Sequence, residues 1–157
     1  MKKIISLLFA TFGLVGLIIA QTPTAMTKID ADEVPTEVLV AMSKTYPNQK
    51  VDQWFYFDEI YSAKTDAEGI AKYSRFNDEA LMIEERVLWD WSEAPENLVS
   101  GKEKTEYKYW DVVEFYEIRK EGKAIHYFLK LKSDNNEIKT IYFDLSGKLE
   151  AKSNSGR

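Results

Sequence analysis

A recurrence at sixty positions constrains this chain more than any other feature. Val34-Pro35-Thr36 is matched by Ala94-Pro95-Glu96, and Phe55-Tyr56 by Phe115-Tyr116. Each proline stands where a helix would open, since Pro is tolerated in a first helical turn, and Glu37 suits the positive end of the helix dipole. Runs of alternating apolar and polar residues follow each proline segment, as β-strands require. The order helix, strand, strand, strand is thus taken twice. It predicts an α+β fold: tandem repeats of a helix plus a three-stranded antiparallel sheet, packed as one small domain. The domain spans about 33–152, with repeats at about 33–92 and 93–152.

In the first unit, Val38, Leu39, Met42 and Tyr46 recur at helical spacing and form one apolar stripe, which Pro47-Asn48 ends. Val51–Ala63 reads as a single strand dense in aromatic residues. Ile70–Phe76 and Ala80–Trp91 follow as the second and third strands. In the last of these, Leu81, Ile83, Val87, Trp89 and Trp91 share a face that Glu85 interrupts. The second unit opens weakly, because Pro95–Thr105 offers only Leu98 and Val99 as apolar residues and Gly101 weakens a helix further. Ala124–Lys132 is the cleanest strand: Ile125, Tyr127, Leu129 and Leu131 face one way, with His126, Phe128 and Lys130 among those facing the other. Asp134-Asn135-Asn136 turns the chain into Ile138–Leu145, its expected antiparallel partner.

The two ends read differently. Met1-Lys2-Lys3, the apolar run Ile4–Ala20 and the polar start Gln21-Thr22-Pro23 predict a signal peptide over 1–20, cut after Ala20. A flexible leader over 21–32 and a disordered tail over 153–157 flank the domain. With no cysteine in the chain, lipoprotein anchoring is excluded, and the expected product is periplasmic or secreted with no membrane span after processing. Removing twenty of the 157 residues leaves 137, enough for one core. The 21 basic residues fall to 19 without Lys2 and Lys3, against 26 acidic ones, a net charge of −7. That balance argues against nucleic acid, whose phosphates demand basic patches.

No catalytic set can be assembled. Cysteine is lacking, and a Ser-His-Asp arrangement would have to use His126, the one histidine, on an outward strand face. Zinc sites draw mainly on Cys and His. Asp134-Asn135-Asn136-Glu137 lacks the glycine and distant Glu of an EF-hand loop. Acid pairs such as Glu84-Glu85 are expected of a solvated face in a chain that is 30% charged. The chain therefore reads as non-enzymatic, with no catalytic, cofactor-binding or metal residues and no cofactor.

Val34-Pro35, Tyr46-Pro47, Val51 and Trp54 resemble, in their spacing, the start of exported PepSY-like repeats, bacterial domains that share a fold with the β-lactamase inhibitor proteins. Tyr142-Phe143-Asp144-Leu145-Ser146-Gly147-Lys148-Leu149 is similar to the hairpin that ends those repeats, whereas Leu88-Trp89-Asp90-Trp91-Ser92 lacks its glycine. The resemblance covers about residues 33–150. It implies a helix packed on an antiparallel sheet and a non-enzymatic binding or inhibitory role, with a protein partner in the envelope or outside the cell.

Strand geometry sends Trp54 and Tyr56 to one face and Phe55 and Phe57 to the other. Because Trp and Tyr carry polar tips, the expectation is that the helix covers Phe55 and Phe57. Trp54 and Tyr56 then lie on the open face, joined by Tyr116, as the candidate partner-binding surface. The leading function is a soluble binding module, of which a protein inhibitor is one form. The alternative is a carrier that holds a glycan or apolar molecule on an aromatic sheet face.

Overall fold

A computed structural model describes residues 26–150 of the chain. The expected signal peptide, the start of the leader and the expected tail lie outside the described residues. Eight strands form one antiparallel sheet in sequence order: β1 (Thr27–Ile29), β2 (Gln53–Phe57), β3 (Ile60–Ala67), β4 (Ile70–Phe76), β5 (Met82–Trp89), β6 (Asp111–Arg119), β7 (His126–Lys132) and β8 (Ile138–Asp144). Two helices interrupt the meander, α1 (Thr36–Thr45) before β2 and α2 (Glu96–Glu103) before β6. A short 3-10 turn precedes each, at Ala31–Glu33 and Trp91–Glu93.

The expected α+β class of two helix-plus-three-strand units is thereby corrected to a mainly β fold. β5 pairs directly with β6, from Glu85↔Arg119 to Trp89↔Phe115, so no gap divides the sheet. Val51–Ala63, read as one strand, is instead a hairpin. Asp58 and Glu59 turn it with φ of 49° and 62°, a left-handed conformation that neither residue announces as Asn-Gly would. Residues 27–29, assigned from sequence to a flexible leader, pair with β2 as an edge strand. β7 and β8 pair from His126↔Asp144 to Lys132↔Ile138, as their alternation leads one to expect.

The pairing register fixes what each face carries. Trp54, Ala63, Ser74, Glu85 and Arg119 stand side by side on one face, and Trp89, Phe115, Leu129 and Ile141 lie on the same side. Both helices pack there. α1 places Val38 and Met42 against Trp54, Ala63 and Phe76, while α2 places Leu98 against Phe115, Leu129, Leu131, Ile141 and Phe143. Between these two apolar cores runs a polar seam. Glu85, the break in the apolar alternation of β5, accepts the Tyr46 hydroxyl at 2.6 Å and lies 3.5 Å from the Arg119 guanidinium. Burial, reinforced by that carboxylate, pushes the Tyr46 hydroxyl up to about 12.

α2 forms although its sequence is a poor helix. Leu98 is fully buried, and the Asn97 side chain donates to the Leu145 carbonyl at 2.6 Å. Gly101 meets the backbone of Gly147 so closely that a side chain has no room. Gly147, at φ +79°, is the tip of the turn after β8, whose Asp144 carboxylate accepts from the Ser146 and Lys148 N–H groups at 2.9 and 3.0 Å. At the corresponding end of β5, Asp90 likewise accepts from Ser92 at 2.8 Å. With no glycine to reverse it, the chain continues into the 3-10 turn and α2.

Candidate functional site

The face opposite the helices is covered by no element among the described residues. Across it runs a row of five half-buried rings: Phe55 on β2, Tyr73 on β4, Tyr116 on β6, Phe128 on β7 and Tyr142 on β8. Successive ring centroids are 6.3, 5.9, 5.5 and 5.4 Å apart, the last three pairs being edge-on. Such geometry sets the positive edge of one ring on the negative face of the next. Phe55 and Tyr73 stand two strands apart, as do Tyr73 and Tyr116, a backbone separation of about 9.5 Å. Their rings therefore lean toward each other over β3 and β5. Burial raises the Tyr116 hydroxyl well above the usual tyrosine range, aided by the charge of Glu114, and keeps it a neutral donor.

Beside the rings lies a charge cluster on the same face. Ser62, Arg75 and Glu84 are cross-strand neighbours on β3, β4 and β5, and Lys120 follows at the end of β6. Glu84 accepts from Arg75, from Arg86 at 2.6 Å and from Lys120 at 3.1 Å. Burial alone would raise the Glu84 carboxyl, but Arg86, Arg75 and Lys120 outweigh it and hold the group down to about 2. The Arg86 guanidinium also sits 5.4 Å from the Phe128 ring centre, which joins the cluster to the aromatic row. Two buried polar atoms here, Ser62 Oγ and Arg75 Nε, have no hydrogen-bond partner.

The sequence-derived surface of Trp54, Tyr56 and Tyr116 is thus divided between two faces. Trp54, only 4% exposed, is core beneath α1, and Tyr56 shares its face, 5.0 Å from the Tyr61 ring. Only Tyr116 lies on the open face, where it joins Phe55, whose burial under α1 was expected. The face assignment is reversed because the path from α1 into β2 decides which side the helix covers. The polar tip of a ring does not decide it. His126 stands on the open face, with Nδ1 2.9 Å from Glu150.

Other recesses are open clefts. One of about 420 Å³ lies between α1 and the β1–β2 edge, lined by Ile29, Leu39, Met42 and Trp54. Another of about 500 Å³ lies at the β5–β6 end by Trp89, Trp91 and Val113. Among the described residues no group of three or more His, Cys, Asp or Glu is placed to hold a metal ion. No helix among them is long and apolar enough to cross a membrane.

Fold and surface together define a class: one antiparallel sheet shielded on one side by two helices and open on the other. Neither a family model nor a curated protein matches the sequence. Solved structures share the fold at low identity. A DUF2874 family protein from Bacteroides uniformis ATCC 8492 superimposes with a TM-score of 0.67 at 19% identity, over 75% of this chain and 87% of that one. A Bacteroides eggerthii DSM 20697 protein, described among "putative periplasmic proteins", gives 0.66 at 18% over 75% and 86%. A BLIP-like protein from Bacteroides fragilis NCTC 9343 gives 0.62 at 19% over 78% and 89%. The chain has a BLIP-like fold.

Proposed function

We propose that this chain is an exported, non-enzymatic binding module that docks a protein partner on the open face of its sheet. The observation that carries the reading is the unbroken row Phe55, Tyr73, Tyr116, Phe128 and Tyr142. Rings in a row on an uncovered face offer rigid area that loses little entropy on binding, and exposed aromatic patches mark interaction sites. The BLIP-like name of a structural neighbour points the same way, toward binding or inhibition without chemistry of its own. The hairpin Tyr142–Leu149 supports PepSY-like ancestry, and both 3-10 turns and both helix starts recur at an offset of sixty residues. The signal peptide over 1–20 and a neighbour described as periplasmic support export.

The test is capture from an envelope extract with residues 21–157 as bait, partners being read by mass spectrometry. A bait carrying Tyr116→Ala and Phe128→Ala should lose the specific partner. A bait carrying Val40→Ser, an exposed change on α1, should keep it. Equal retention by all three baits refutes docking on this face. Intact mass of the exported protein should begin at or near Gln21, and retention of Met1 in a membrane fraction would overturn the location.

A further inference from the structure

The open face carries a second, electrostatic feature that the aromatic row does not explain. Arg75, Arg86 and Lys120 converge on a single carboxylate, Glu84. The cluster therefore holds three positive charges against one negative, a local excess of two in a chain whose net charge is −5. Nearby charges do not cancel it. Glu114 is bound to Lys130 at 2.6 Å, and Glu117 and Glu85 share Arg119 on the opposite face. The cluster is screened poorly, because Arg75 is 9% exposed and Glu84 6%. Arg86 and Lys120 are the members that reach solvent, with side chains 23% and 38% exposed.

The orphaned atoms are a separate sign. Ser62 Oγ and Arg75 Nε are direct cross-strand neighbours, both buried and both without a partner. Leaving such groups unpaired is costly, because each gives up its hydrogen bonds to water on burial. A patch that keeps them beside excess positive charge is incompletely satisfied by its own residues.

Resting on the docking reading above, we infer that the partner is a protein that sets a carboxylate side chain from an acidic loop against Arg86 and Lys120. Flanking apolar groups of the same loop lie on Tyr116 and Phe128. Charge complementarity selects this occupant, since three cations share one carboxylate here in a chain that is acidic as a whole. The cation on Phe128 ties the two halves of the surface together.

The experiment is a binding array of synthetic 15-residue peptides in which an acidic, a neutral or a basic residue is flanked by the same apolar pair. Polygalacturonate serves as an anionic glycan probe. Wild-type protein should retain the acidic peptides preferentially, with affinity falling as salt rises. Lys120→Gln should weaken them about three- to tenfold, and Lys120→Glu more, with binding compared at a temperature where circular dichroism shows each variant folded, since Lys120 also pairs with Glu84. Phe128→Ala should weaken acidic and neutral peptides alike. If acidic and neutral peptides bind equally and only Phe128→Ala matters, the docking face stands and the acidic partner is refuted. If no peptide responds to Phe128→Ala or Lys120→Glu, both readings fail. Retention of polygalacturonate with no acidic peptide overturns the inference in favour of a glycan.

Discussion

Gly101→Ala tests the packing of α2 more sharply than any core truncation, because local propensity and tertiary contact predict opposite signs. In a solvated helix the change should stabilise by about 1 kcal/mol, since glycine carries the greater backbone entropy. Here the new methyl would overlap the Gly147 carbonyl oxygen, with the carbonyl carbon at 3.0 Å and Cα at 3.4 Å. The obstacle is backbone, and it is held: the Gly147 N–H donates to the Asp144 carbonyl at 3.0 Å, and Asp144 also caps Ser146 and Lys148. No flexible side-chain end can swing away, so α2 must lift from the sheet. Lifting it loosens Leu98, fully buried in the second core. Overpacking costs about 1–3 kcal/mol, and partial exposure of a buried Leu adds to it. Net of propensity, the variant should lose about 2–4 kcal/mol, which for a domain of this size lowers Tm by roughly 8–16 °C. Urea denaturation followed by circular dichroism measures it, with Ser100→Ala in the same helix as a control expected within about 0.5 kcal/mol of wild type. A Gly101→Ala protein as stable as the wild type, or more so, would show that α2 does not depend on this contact.

Trp54→Ala should cost about 3–5 kcal/mol as a buried aromatic, and Phe55→Ala clearly less, by chemical denaturation of both variants; the reverse order would return Trp54 to the open face. Glu84 has a folded-state pKa of about 2, below its ordinary value of 4.5, so it contributes stability that is fully present above that value. That stability, about 3 kcal/mol, is lost as pH falls from about 5 toward 2. Glu84→Gln should flatten that acid limb in denaturation curves, and at neutral pH should cost about 3–5 kcal/mol by stranding three cations. Tyr46→Phe removes a hydrogen bond to the Glu85 carboxylate and should cost about 1.5–3 kcal/mol. Because the Tyr46 pKa is raised, that stabilisation is complete below about pH 10 and disappears as pH climbs through about 12, which ultraviolet titration against the Phe variant follows.

Local pattern made some of the fold legible and left the rest hidden for identifiable reasons. β7 and β8 could be read because alternation and an Asp-Asn-Asn turn agree at short range. The Asp58-Glu59 hairpin could not, because both of its turn residues adopt positive φ without a glycine or asparagine to signal it. β1 is too short, and too rich in Thr and Lys, to stand out from a leader; it exists because β2 offers it an edge. The β5–β6 pairing joins strands separated by the whole of α2, a long-range contact that the alternation within either strand does not specify. One signal is visible in the sequence without its partner. Glu85 breaks an apolar run, and its partner Tyr46 stands thirty-nine residues earlier at the end of α1.

The candidate surface shows the same boundary between local and global information. Tyr116 is identifiable from sequence by its place in the recurrence, while Trp54 and Tyr56 land on the wrong face when the face is argued from side-chain polarity. Whether a strand's odd or even residues meet the helix depends on one parity per strand, and a single-residue slip inverts them all. A better local signal lies in the company each ring keeps. Phe128 stands between His126 and Lys130, Tyr142 between Thr140 and Asp144, and Tyr73 between Ala71 and Arg75, counting along one face of each strand. A lone ring in an otherwise small or polar row gains little from a helix-covered core and has no neighbours of its own to pack on. It becomes useful only when the next strand, or the one beyond it, supplies another ring at the same level. Five strands do so here, with spacings of 5.4 to 6.3 Å. The row is therefore a property of the register, and its rings sit where a partner can cover them.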